Sequence, residues 1–263
     1  MDFLKTTLSL DTIRRELVRL EDSIIFALIE RAQFAQNSNV YSKEYFQGNG
    51  TGFEGSFLEY FLHEIECVHA KVRRYTSPDE YPFTQNLPSP ILPALQFPPL
   101  LVSNSINVNP QLMDIYLHNI VPIICQKGDD SNYGSAATKD VDALQCLSRR
   151  IHYGKFVAEA KFNDPKEHDL YVSLIKAQDR DGIMELLTNR AVEERLLLRL
   201  RRKALVYGQE IEADDKAPAS SSHLRIELDV VANMYEKFVI PLTKEVEVEY
   251  LLRRLDHVPL GPK

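Results

Sequence analysis

Between residues 10 and 34 the apolar side chains fall at Ile13, Leu17, Leu20, Ile24, Ile25, Leu28 and Ile29. Steps of three and four place them on one face of a helix, and the period-two alternation of a strand is absent. Ser9 or Asp11 can cap this helix. The same rhythm predicts helices over 56–75, with Phe57, Tyr60, Phe61, Ile65 and Val68 facing inward, and over 111–126. A long helix is predicted over 138–161, carrying Val141, Leu144, Leu147, Ile151, Val157 and Ala158. Shorter helices are expected at 169–177 and 180–188, another at 191–207, and a last one at 228–255 that Pro241 should bend or interrupt. No segment alternates strongly and no solenoid-type repeat is present. The expected fold is therefore all-α: a long-helix bundle of about ten to twelve helices without a significant sheet, in one domain spanning 1–263.

The helices are separated by recognisable breakers. A Gly/Asn-rich loop covers 47–55, and a polar turn covers 128–135. From 78 to 110 prolines recur at short intervals, each lacking an N–H and restricting its predecessor. Aromatic and aliphatic residues interleave with them, so this stretch reads as ordered loop with short helical turns. Residues 209–223 are acidic and then Ala/Ser-rich with no periodicity, the pattern of a mobile loop.

Of the 263 residues, 44% are hydrophobic and 26% charged, the balance of an ordinary globular protein, and the formal charge of -7 argues against a global attraction for nucleic acid. No uncharged apolar run is long enough to cross a bilayer. Cys67, Cys125 and Cys146 form no CxxC pair and have no histidines at zinc spacing, so they read as reduced, largely apolar side chains. With no secretory signal at the N-terminus, these features point to a cytoplasmic protein without membrane association.

Polar residues recur at helical spacings beside the apolar stripes. Arg14 and Glu21 are seven apart; Arg150, Gly154, Val157 and Lys161 follow one face; Asn189 and Glu193 are four apart, as are Thr243 and Glu247. Gly154 costs helix stability, which suits the close approach of a ligand or, by about two to one, of another helix. Each pair also has an ordinary explanation. Asn189 can cap the following helix, Glu193 can complement its dipole, and paired cations commonly form a solvated face. No nucleophile elbow, zincin motif, P-loop or dinucleotide fingerprint is present.

Five stretches resemble the eukaryotic all-helical chorismate mutases, above all the fungal branch. They are IRRELVRLEDSIIFALIERAQFA, GSFLEYFLHEIECVHAKVRRYTSPDEYPF, NYGSAATKDVDALQCLSRRIHYGKFVAEAKF, NRAVEERLLLRL and VIPLTKEVEVEYLLRRL, in family order over most of the chain. The resemblance implies rearrangement of chorismate to prephenate, in phenylalanine and tyrosine biosynthesis, without a cofactor or metal. It implies that Arg14 and Arg150 grip the two substrate carboxylates and that Lys161 and Glu247 face the ether oxygen. Asn189 and Glu193 would hold the ring hydroxyl, and Thr243 would support a carboxylate. Val157, Glu21 and Tyr235 would stand behind these residues, with Glu21, helped by Tyr235, orienting Arg150. The catalytic helices would lie near 10–34, 138–161, 189–207 and 228–255.

The same resemblance implies a homodimer with a regulatory and dimerisation region near 56–138. An aromatic amino-acid effector would bind Arg73 and Arg74 with Asn132, Gly134, Ser135 and Thr138. Glu227 stands where the fungal pattern has threonine, which favours inhibition by tyrosine over activation by tryptophan. A dimeric helical amino-acid sensor without catalysis is the competing reading, and the intact set from Arg14 to Glu247 weighs against it.

Overall fold

A computed structural model of the chain describes residues 9–47, 50–208 and 228–256, so the 209–223 loop and Glu227 lie outside the described residues. Their regular secondary structure is helical, with no strand among the described residues. Nine helical segments exceed one turn, slightly fewer than expected: α1 Leu10–Ala32, α2 Phe57–Lys71, α3 over 109–124, α4 Tyr133–His152, α5 Gly154–Phe162, α6 His168–Lys176, α7 Arg180–Leu187, α8 Arg190–Gly208 and α9 over 228–252. One cluster of buried side chains draws from all nine of them.

Local chemistry sets the ends. Ser9 caps α1 by accepting from the Thr12 N–H at 3.2 Å. A capping box starts α2, with Ser56 Oγ accepting from the Glu59 N–H and Glu59 accepting from the Ser56 N–H at 2.7 Å. The inward face of α2 differs from the expectation: Leu58, Leu62, Glu66 and Ala70 are buried, whereas Val68 is 59% exposed. This helix carries two apolar stripes, and periodicity cannot choose between them.

Neither Pro122 nor Pro241 divides its helix. Each follows a π turn, Tyr116–Ile120 and Tyr235–Val239 respectively. There the Val121 and Ile240 N–H groups reach back five residues to the Tyr116 and Tyr235 carbonyls. The wider turn absorbs the missing proline N–H and the clash of its ring. The opposite happens over 138–161: the expected single helix is α4 and α5, meeting at a joint on Tyr153.

In the core, α1 packs along α4, and α9 packs along α5 and α7. A buried ion pair pins α1 to α4, with Arg31 Nε donating to Asp140 Oδ1 at 2.5 Å. Tyr41 and Tyr116 donate to the same carboxylate at 2.9 and 2.7 Å, and Arg31 also reaches the carbonyls of Phe34, Ala35 and Gln36. The proline-rich strap between α2 and α3 is ordered by side chains. Buried Glu66 accepts from the Phe83 and Thr84 N–H groups, each at 2.8 Å.

Candidate active site

The seven residues singled out across four distant stretches line one cleft of about 420 Å³. Arg14 comes from α1, Arg150 from α4, Lys161 from α5, Asn189 and Glu193 from the start of α8, and Thr243 and Glu247 from α9. Val157 lies on the wall. Leu10, Ile13, Leu17, Leu186, Val192, Leu196 and Ile240 add an apolar lining.

Arg150 is 5% exposed, and its guanidinium sits 5.8 Å from the centre of the Tyr235 ring. One of its terminal nitrogens donates to Thr243 Oγ1 at 3.4 Å, and its buried Nε has no hydrogen-bond partner among the described residues. Most of its fork therefore remains available to an anion. Lys161 donates to the Leu187 carbonyl at the end of α7, 2.7 Å away, which anchors its head at the cleft. Arg14 stands at the mouth, its side chain 61% exposed and paired only weakly with Asp11 at 3.4 Å.

Burial pushes the Glu247 carboxyl up to about 7, while Lys161, Arg150 and Lys244 act to lower it. Burial wins because the side chain is enclosed and the cations do not contact it through any hydrogen bond among the described residues. The cleft thus holds a carboxyl able to be neutral near neutral pH among fixed positive charges.

Gly154 explains how Glu247 comes so close. A Cβ there would lie 2.9 Å from the Thr243 carbonyl oxygen and 3.1 Å from Glu247 Cγ. The glycine serves helix-to-helix approach, and the approaching helix carries two of the site residues. Asn189 performs its ordinary task as well, its Oδ1 accepting from the Val192 N–H at 3.1 Å at the start of α8.

Glu21 differs from the expectation. Its carboxylate is taken by Arg199, through two hydrogen bonds of 2.9 and 2.7 Å, and by Lys203 at 3.2 Å. The partner held against Arg150 is the Tyr235 ring. Spacing on α1 alone could not reveal that α8 supplies cations to the same face. Lys244 was also not legible in the sequence: it lines the cleft and binds Glu193 at 2.6 Å. It sits one residue beyond Thr243, off the i,i+4 pattern that drew attention to α9.

The residues expected to bind an effector fall into two groups within the chain. Arg74 binds Gln145 at 2.8 Å and Glu80 at 3.1 Å, and Arg73, in the left-handed region at φ 60°, donates to the Pro93 carbonyl. The clefts beside Arg74 include neither Asn132, Gly134, Ser135 nor Thr138. Those four lie at the start of α4, where the Thr138 hydroxyl donates to the Gly134 carbonyl at 2.8 Å.

No family model matches the chain. Among curated proteins it is 50% identical over 260 residues to the chorismate mutase of Schizosaccharomyces pombe, covering 97% of this chain and 100% of that one. It is 46% identical over 263 residues to the chorismate mutase of Saccharomyces cerevisiae, covering 97% and 100%. Against chorismate mutase 1, chloroplastic, of Petunia hybrida it is 47% identical, covering 94% of this chain and 76% of the relative. The crystal structure of Candida albicans chorismate mutase in complex with L-Trp superposes with a TM-score of 0.90 at 44% identity, over 99% and 97% of the two chains. A structure of AtCM1 with tyrosine in its allosteric site superposes with a TM-score of 0.85 at 46% identity, over 96% and 98%.

Proposed function

The chain belongs to the chorismate mutase family, isomerases that convert chorismate to prephenate, and we propose that the cleft around Glu247 carries out this reaction. The observation that carries the proposal is the convergence of Arg14, Arg150, Lys161, Asn189, Glu193, Thr243 and Glu247 on one cavity. The rearrangement is intramolecular and needs no nucleophile, base or redox group from the protein. What helps is a fold that holds the enolpyruvyl arm over the ring and stabilises charge as the C–O bond breaks.

Arg150 and Arg14 bind the two carboxylates, with Thr243 supporting one of them. The planar guanidinium fork matches a carboxylate and fixes its orientation. Lys161 faces the ether oxygen and stabilises its growing negative charge. Glu247 donates a hydrogen bond to that oxygen as a neutral acid, for which its raised value suits it. Asn189 and Glu193 hold the ring hydroxyl. Val157 shapes the wall, and Tyr235 supports Arg150 through its ring.

Loss of chorismate absorbance, with prephenate identified as product, tests the reading directly. The wild type should convert chorismate rapidly and Lys161→Ala should lose at least about a hundredfold in kcat, the scale of a lost oxyanion-stabilising group. Equal rates in the two proteins would remove Lys161 from the mechanism.

Feedback control belongs to the same proposal. Tyrosine inhibits, and tryptophan is the second candidate effector, at a site formed by Arg73 and Arg74 with Asn132, Gly134, Ser135 and Thr138. These groups come together across a homodimer. Exposed Val68, Val72 and Leu95 near the two arginines support an interface there. Light scattering should give twice the chain mass, and Thr138→Ala or Arg74→Ala should weaken tyrosine inhibition without abolishing turnover. No helix of the described residues is long and apolar enough to cross a membrane. The compartment proposed is the cytosol, testable by fractionation; the Petunia hybrida relative differs in being chloroplastic.

A further inference from the structure

The side of α4 and α5 turned away from the cleft holds the start of α3 and, by its main chain, the proline-rich strap before it. Four residues follow one helical face there: Ser148, His152, Lys155 and Glu159. Ser148 donates to Asn109 Oδ1 at 2.6 Å. His152 Nε2 accepts from the Val108 N–H at 3.2 Å, and Lys155 Nζ donates to the Ile106 carbonyl at 2.5 Å. Glu159 accepts from the Tyr250 hydroxyl, which accepts in turn from the Val102 N–H at 3.0 Å.

The middle two rungs straddle the joint on Tyr153. His152 is the last residue of α4, the segment bearing Arg150; Lys155 is in the first turn of α5, the segment bearing Lys161. Both grip strap residues only two apart. The Tyr81 ring joins them again, stacking on the His152 ring at 4.2 Å between centroids and lying 3.9 Å from Lys155 Nζ. Lys155 is fully buried, and its interactions among the described residues are that carbonyl and that ring, with no carboxylate. A buried amine without a counter-charge is costly, and methionine would fill the space with less penalty.

We propose that His152 and Lys155, bracketed on Tyr81, Ile106 and Val108, are positioning residues that set the angle between α4 and α5 and thereby the separation of Arg150 from Lys161. The inference rests on the reading of the cleft as the chorismate mutase site. Along 133–162 the helix is interrupted only at Tyr153, so a change of angle there alters the placement of the carboxylate-binding cation relative to the ether-facing one. Burial supports the bracket chemically: it holds the His152 ring far below the usual imidazole range, at about 3, so Nε2 stays a bare acceptor. The Nδ1 hydrogen points to the Ser148 carbonyl at 2.8 Å, which fixes that tautomer.

The test compares His152→Leu, which deletes the acceptor, His152→Gln, which restores one near the position of Nε2, Lys155→Met, and the double variant His152→Leu/Lys155→Met. Kinetics with chorismate are measured beside thermal melts. Misplacing one cation relative to the other should lower kcat by about tenfold or more in each single leucine or methionine variant, with KM changed by less than about threefold. His152→Gln should recover most of the lost kcat, and the double variant should be no worse than the poorer single, because both residues act on one angle. Folded single variants with kcat within about twofold of wild type would overturn the inference, as would losses that multiply in the double variant. Should these variants not fold, Tyr81→Leu removes the shared ring from the strap and should give the same kcat-selective loss; a normal kcat there overturns the inference too. An inactive wild type would instead refute the reading of the cleft, so the two failures are distinct.

Discussion

Gly154 and Thr243 face each other with so little space that a methyl group on Gly154 would stand 2.9 Å from the Thr243 carbonyl oxygen. That carbonyl belongs to the backbone of α9 and cannot swing aside as a side chain could. Gly154→Ala should therefore push α9, with Thr243 and Glu247, away from α5. A loss of roughly tenfold to a hundredfold in kcat/KM is expected, with about 1–3 kcal/mol of stability. Steady-state kinetics and urea unfolding measure both. An alanine variant as active as wild type would mean that the two helices part without consequence for the site.

Glu247 gives a pH dependence with a defined sign. Its folded value of about 7 lies above the ordinary 4.5, so the folded chain holds this proton more tightly than the unfolded one. The associated stability is full below pH 4.5 and lost as pH rises to about 7, by up to about 3 kcal/mol. Denaturant titrations should show wild type losing this much relative to Glu247→Gln across that window. In turnover, kcat of the wild type should fall above the pKa of the bound complex while Glu247→Gln stays flat. Parallel profiles for the two proteins would rule out a neutral acid at this position.

Arg31 and Asp140 are both fully buried, and each satisfies the other. Arg31→Met strands the carboxylate with only the Tyr41 and Tyr116 hydroxyls, and should cost about 3–5 kcal/mol. The urea midpoint reports it. A loss below about 1 kcal/mol would show that the two tyrosines suffice for the buried charge.

Lys244 fixes Glu193 at the cleft through a 2.6 Å ion pair. Lys244→Met frees Glu193 to turn outward, and the KM for chorismate should rise by about threefold to tenfold, with the melting temperature shifted by only a few degrees. An unchanged KM would mean that Glu193 keeps its place without the lysine.

The helical class and most helix positions were legible in the chain because they depend on local periods, whereas the seven cleft residues were named as one set only through the family resemblance. Arg150 and Lys161 are eleven residues apart and Thr243 and Glu247 four, spacings that share a face wherever the helix runs regularly. Misreadings arose where a local period has more than one solution. The two apolar stripes of α2 made Val68 look inward, and the run through 138–161 hid the joint at Tyr153. Pro241 predicts a bend or a break in the hydrogen-bond ladder, and the ladder does change there, to a π turn over Tyr235–Val239 that leads into Ile240–Leu252.

Sequence by itself determined which faces are apolar, where most helices begin and end, and which polar residues share a face; the start of α4 at Tyr133 and the break at Tyr153 escaped it. Tertiary structure alone decided who meets whom: Glu21 with Arg199 and Lys203, Lys244 with Glu193, and Lys155 with the Ile106 carbonyl. The physical reason is range. Helical periodicity is set by backbone geometry within a few residues, whereas the choice of ionic partner and the burial that raises Glu247 depend on helices brought together from opposite ends of the chain.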